Sequence, residues 1–285
     1  MPQHVVPDAE TVRRLLPPGE TDIRSVAEGG EHSTWLVGAD RVLRLALDAE
    51  GSERQRREIA LRDAVRPYLP VAVPESAATG EWADGLTYTL DTLLPGLSAE
   101  RRPVSPAGEG ELSGFLRGLR AFPVDASLPV EPSRDLRELR ERASEAAGRL
   151  AADGEFDSAL LSRRLHGLPR DQAPPALIHN DLKGEHLLVD ESGRMTGVLD
   201  WTDAAAGDPA EDIAGLAISV GAAAAVRIAE GAGREPALGV RALWLARCDT
   251  LTRLYDRLHE GDDSPLPLLR AQHSRAWELT PLDLS

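Results

Sequence analysis

The chain has 285 residues, a formal net charge of −15, 42% hydrophobic residues and 28% charged residues. That balance is globular and excludes wholesale disorder, and the negative charge makes a nucleic-acid backbone a poor partner. One cysteine, Cys248, leaves no intrachain disulfide and no cysteine-based metal site, as expected of a cytoplasmic protein.

Met1–Glu10 contains Pro2, Pro7 and Asp8 and no apolar h-region, so no signal peptide is expected. Asp8 reads as the N-cap of a short helix through Leu16, which Pro17-Pro18-Gly19 ends. Two strand-like stretches come next, 23–27 and 34–37, with the polar glycine-containing run Glu28–Ser33 between them. Gly38-Ala39-Asp40 turns the chain into the alternating segment 41–47. The pattern is helical over 50–65, and prolines 67, 70 and 74 break it. A strand at 86–90 and a turn at Pro95-Gly96 complete a small α+β unit, placing a boundary at 94/95.

Beyond Leu97 the pattern is mainly helical, with helices expected at 109–121, 134–152 and 156–166. Short apolar strands are expected at 176–178, 187–189 and 197–199, the latter two joined by the turn Asp190–Gly193. Helices resume from Pro209, the clearest over 240–258. The run 213–228 reads as one buried helix, since no apolar window reaches the length of a membrane span. The expected fold is therefore α+β and bilobal, a small antiparallel sheet with a helix followed by a larger helical lobe.

The chemistry is concentrated in LIHNDLKGEHLLVDESGRMTGVLDWTDAAAGDPAEDIAG, residues 177–215, where apolar strands twice end in polar clusters. Such strand ends face clefts in many enzymes. Phosphoryl transfer needs a group that orients an acceptor hydroxyl and takes its proton. It also needs ligands for a divalent cation that neutralises the donor phosphates. His179-Asn180-Asp181 with His186 five residues after Asp181 gives H-x-D-x-x-x-x-H, a relative of the kinase loop H-R-D-x-x-x-x-N. Asp200 ends the next apolar strand but one, as Asp200-Trp201-Thr202.

With Gly207-Asp208-Pro209 and Glu211-Asp212-Ile213-Ala214 added, this stretch resembles the aminoglycoside phosphotransferase family, small-molecule kinases with a protein-kinase-like fold. The resemblance implies roles. Asp181 would be the catalytic base and Lys183 a γ-phosphate contact. His186 and Asp200 would hold Mg²⁺. Gly29, Gly30 and Ser33 would cover the phosphates of ATP or GTP with backbone N–H groups. Arg44 would contact the phosphates and pair with Glu58. Asp91 and Leu93 fall in the segment similar to the nucleotide-binding hinge, and Trp201 and Asp203 are candidate acceptor contacts. His186 stands where asparagine is commoner, Arg44 replaces the kinase lysine, and no A-P-E closes an activation segment, which disfavours a protein substrate.

Several residues read as structural: Asp208 and Asp212 as helix-start carboxylates, with Asp208 also able to brace the catalytic loop, and Trp244, Tyr255 and Trp277 as packing. His179 is open between an architectural and a direct role. The expected activity is transfer of a nucleotide γ-phosphate to a hydroxyl of an antibiotic, an aminoglycoside, a macrolide or another natural product, by a monomer or weak homodimer without membrane association. The alternatives are a metabolic kinase for choline, a sugar or an amino alcohol, and a nucleotide-binding pseudokinase.

Overall fold

The computed structural model describes residues 7–26, 32–126, 128–165, 167–169 and 173–284. Two compact units emerge. One holds the chain to Pro67, residues 72–95 and residues 196–202; the other holds residues 68–71, 96–195 and 203–285.

The first unit is built on a five-stranded antiparallel sheet in the order β1-β2-β3-β5-β4. Helix α1 (Ala9–Leu15) starts where Asp8 accepts a hydrogen bond from the Thr11 amide, as the sequence predicts. Strands β1 (Ile23–Val26), β2 (His32–Val37) and β3 (Arg41–Ala46) form a meander, followed by helix α2 (Ala49–Val65) with Asp48 as its N-cap. Strands β4 (Ser76–Ala83) and β5 (Leu86–Thr92) close the sheet. Val12, Leu16, Val37, Leu43, Leu45 and Leu90 form the apolar centre between α1 and the sheet. β4 is not among the strands the sequence pattern predicts. It is an edge strand carrying Ala, Thr and Gly, partly exposed along its length, so it lacks the apolar alternation that marks a half-buried strand.

Helix α2 packs with a polar face inward. Gln55, Glu58 and Arg62, spaced one helical turn apart, are all buried. Arg62 donates to both oxygens of Asp91 on β5, which also accepts from Ser76 and Thr89 hydroxyls. The buried charges thus have partners, the condition under which such burial is tolerated.

In the second unit β6 (Leu97–Ser98) precedes helices α3 (Pro106–Ala121), α4 (Leu136–Ala152) and α5 (Ser158–Arg164). Then come β7 (Ala176–Ile178), β8 (Leu187–Val189), β9 (Met195–Val198, its last three residues in the first unit) and β10 (Ala205–Gly207). β6 pairs with β8 and β10 with β7, all antiparallel. Helices α6 (Ala210–Ser219), α7 (Ala222–Gly231), α8 (Pro236–His259) and α9 (Leu266–Ala276) complete it. The apolar run 213–228 is two helices rather than one: the chain breaks at Gly221, whose φ of 105° only glycine adopts without strain. Glycine is also required at Gly215 in α6. A Cβ there would come within 2.8 Å of the Leu182 carbonyl oxygen, so its absence lets the 179–186 loop lie against the helix. No helix among the described residues is long and apolar enough to cross a membrane.

Candidate functional site

In the first unit the polar residues gather around Arg44, which sits mid-strand in β3 opposite Thr34 of β2. Its Nη1 lies 2.9 Å from both carboxylate oxygens of Glu58. Burial alone would lower the guanidinium pKa; Glu58, with Asp91 and Asp200 adding to it, more than offsets this and holds the group above its ordinary value. The Thr202 hydroxyl also donates to Glu58, tying the segment after β9 to α2. Asp200 is exposed and takes a left-handed backbone, φ 56°, a conformation that an Asx residue tolerates better than most.

Of the residues expected to line the nucleotide site, Gly29 and Gly30 lie outside the described residues. Ser33 is described, and its hydroxyl accepts from the Trp35 indole N–H. Asp91 is not positioned for a ligand: it is buried within the Arg62 network and belongs to a paired strand. Leu93 lies beyond β5, and its backbone N–H already donates to the Asp40 carbonyl. Trp201 is 1% exposed with its indole N–H on the Val198 carbonyl, so it is a packing residue and not an acceptor contact. Sequence reasoning passes over His32, which is buried beside Arg44. Burial, then the Arg44 charge, lowers its pKa to about 4, and its Nε2 has no hydrogen-bond partner among the described residues.

In the second unit, β7 delivers the 179–186 loop. His179 is fully buried, and its backbone N–H and that of Asn180 each donate to a carboxylate oxygen of Asp212, at 2.9 Å. Burial raises the Asp212 pKa to about 6, although the two backbone donors oppose it. The bracing role considered for Asp208 thus belongs to Asp212. Asp208 accepts from the Ala210 amide at the start of α6 and pairs with Arg241, the structural use expected of it. Asn180, like Asp200, is left-handed, φ 65°.

Asp181 comes next, 17% exposed at its side chain, with Lys183 Nζ 2.5 Å from Oδ1. His186 Nδ1 is 2.9 Å from the Asp181 backbone carbonyl. A carbonyl only accepts, so Nδ1 is the donor of this hydrogen bond. His186 belongs to the second unit and Asp200 to the first. Among the described residues no three His, Cys, Asp or Glu side chains assemble as a cage. Asp203 is exposed.

Asp181 and Lys183 line a cavity of about 350 Å³ whose far wall carries Arg134, Glu211 and Asp249. Arg134 Nη1 lies 2.9 Å from one Asp249 oxygen and 3.3 Å from Glu211, while Nη2 pairs with the other Asp249 oxygen. One guanidinium cannot neutralise two carboxylates. Burial raises the Glu211 pKa, Arg134 offsets part of this, and Asp249 adds to it, so that the carboxyl reaches about 7. This triad is not legible in the sequence, because its members are 77 and 38 residues apart in the chain.

The profile of the phosphotransferase enzyme family matches residues 22–245. Viomycin phosphotransferase of Streptomyces vinaceus is 30% identical over 230 residues, 74% of this chain and 78% of that protein. Among solved structures, the GDP complex of wild-type aminoglycoside 2'-phosphotransferase-IIIa superposes with a TM-score of 0.68 at 21% identity, covering 93% of this chain and 97% of that one. Macrolide 2'-phosphotransferase MphH from Brachybacterium faecium superposes with a TM-score of 0.59 at 26% identity, covering 94% and 96%. The protein-kinase-like α+β fold expected from sequence is the fold of these structures. The chain belongs to the phosphotransferase enzyme family.

Proposed function

We propose that this phosphotransferase moves the γ-phosphate of ATP or GTP to a hydroxyl of an antibiotic and so confers resistance to it. The observation that carries the reading is Asp181. Its carboxylate is held on the wall of a small-molecule-sized cavity by a loop that Asp212 clamps. The viomycin phosphotransferase relative directs the choice of acceptor first to viomycin, and the aminoglycoside and macrolide enzymes direct it next to those classes.

Each group has a defined part in this reading. Asp181 takes the proton of the acceptor hydroxyl as its oxygen bonds to the γ-phosphorus and the bond to the β–γ bridging oxygen breaks. Lys183, an ammonium beside that carboxylate, contacts the transferred phosphoryl oxygens. Arg44, aimed by Glu58, holds the donor phosphates. His186 and Asp200 would hold Mg²⁺, which supplies neutralisation of the phosphate charge when bound.

The test is turnover of ATP and of GTP against viomycin, a set of aminoglycosides and a set of macrolides, with phosphorylated product identified by mass. Transfer to one of these classes is expected. Transfer to choline, a sugar or an amino alcohol with none to the antibiotics would replace this reading by a metabolic kinase.

A further inference from the structure

The segment Pro129–Arg134 runs along the edge of the β7–β10 pair. The Ala206 amide donates to the Pro129 carbonyl at 2.8 Å, and the Glu131 amide donates to the Ala206 carbonyl at 3.0 Å, with Val130 facing Ala206 in parallel register. At its end, Arg134 fastens to Asp249 and Glu211. The segment is therefore anchored by its backbone and by Arg134 without help from the Glu131 side chain.

That side chain is used elsewhere. Glu131 Oε2 accepts from the Asn180 Nδ2 amide at 3.1 Å. Asn180 is the left-handed residue immediately before Asp181, and its backbone N–H is already bound to Asp212. Two carboxylates from distant parts of the chain thus grip one residue, one by its backbone and one by its side chain. Asparagine tolerates left-handed backbone better than most residues but not as freely as glycine, and here two anchors hold it in that conformation. Because Asn180 directly precedes Asp181, a change in its backbone angles swings the Asp181 carboxylate through the cavity.

We infer that Glu131 is a positioning residue for phosphoryl transfer: by holding the Asn180 carboxamide it fixes the left-handed turn that aims Asp181 at the acceptor hydroxyl. This rests on the reading of Asp181 as the base. It predicts an effect on the chemical step and not on binding, since Glu131 touches Asn180 and not the groups assigned to nucleotide or acceptor.

The experiment compares Glu131→Ala, Glu131→Gln, Asn180→Asp and the double variant Glu131→Gln/Asn180→Asp. Steady-state transfer to the acceptor identified for the wild type is measured, together with amide hydrogen exchange over residues 177–186 in the absence of acceptor. Glu131→Ala should lower kcat by up to about 10²-fold, the cost of a misplacement near 1 Å, with both KM values little changed and exchange at 180–182 accelerated. Glu131→Gln keeps an acceptor oxygen and should retain most of kcat. Asn180→Asp sets two carboxylates against each other and should be slow; the double variant, with donor and acceptor exchanged, should recover. Wild-type kcat and exchange in Glu131→Ala would overturn the inference. So would a Glu131→Gln enzyme as slow as Glu131→Ala, which would assign the effect to charge, a loss matched by an equal rise in acceptor KM, or no recovery in the double variant. If the wild type phosphorylates no antibiotic, the functional reading fails by itself, and the exchange comparison alone decides whether Glu131 holds the turn.

Discussion

The Glu58 carboxylate, 3% exposed on α2, places both its oxygens 2.9 Å from one guanidinium nitrogen of Arg44. Arg62, one turn further along α2, lies 3.7 Å from the same carboxylate and binds Asp91 on its other side. The four charges alternate in sign through a buried region, so removing Glu58 leaves the two guanidiniums of Arg44 and Arg62 to share Asp91.

Glu58→Ala should therefore destabilise the fold by about 3–5 kcal/mol, the cost of breaking a buried pair by deleting one member. Arg44→Lys should keep part of the nucleotide affinity and Arg44→Ala should lose most of it, because ammonium preserves the charge without the guanidinium fork. Denaturant melts read the first effect and nucleotide titration the second. A Glu58→Ala protein as stable as the wild type would show that α2 does not depend on this network.

Asp181 and Asp200 should separate cleanly. Asp181→Asn keeps size and hydrogen bonding and removes the base, so transfer should fall ~10²–10⁴-fold while nucleotide binding persists. Asp200→Asn should weaken binding of nucleotide with Mg²⁺ and lower transfer together. Near-normal turnover in Asp181→Asn would mean that another group takes the proton.

Nucleotide affinity should require a divalent cation, because the acidic residues assigned to its phosphate end add negative charge to that of the phosphates. Calorimetry with ATP and with GTP, with and without EDTA, measures this directly. Equal affinity in EDTA would remove His186 and Asp200 from the metal role.

The raised carboxyls give a pH signature. Glu211 moves from its ordinary value of 4.5 to about 7 and Asp212 from 3.8 to about 6, in both cases chiefly through burial. The folded state then holds these protons more tightly than the unfolded state does. Their contribution is fully present below pH 4 and is lost as pH rises through about 6 for Asp212 and about 7 for Glu211. Glu211→Gln has no such loss, so its Tm relative to wild type should improve between pH 5 and pH 8. A constant difference would show that Glu211 titrates normally.

Much of this is readable in the sequence, and for identifiable reasons. Asp8 caps the first helix as read, a local interaction that the chain carries within three residues, whereas the caps Ser105 and Asp157 shift the starts of α3 and α5 from the expected 109 and 156. Asp181, His186 and Asp200 can be nominated from sequence because they fall within one stretch of twenty residues. The features that escape sequence reading are non-local. Glu131 on Asn180 spans 49 residues and Arg134 on Asp249 spans 115, so no window contains either pair. β10 escapes because Ala-Ala-Gly has no strand preference and is held by its neighbours. The buried polar face of α2 does leave a signal, since Gln55, Glu58 and Arg62 recur at helical spacing, but in a charged segment that pattern also fits a wet surface.

Asn180 and Asp200 stand in left-handed backbone immediately before the candidate base and at the candidate metal ligand. Asn180→Gly would remove the conformational penalty on the folded chain and also free the unfolded one, and it would delete the amide that Glu131 holds. A selection for heat resistance alone could therefore accept such a change at a position where a selection for drug survival would reject it. The two screens applied to one library should disagree most sharply at this asparagine, and the size of that disagreement would measure how far stability and turnover have been set against each other at one peptide unit.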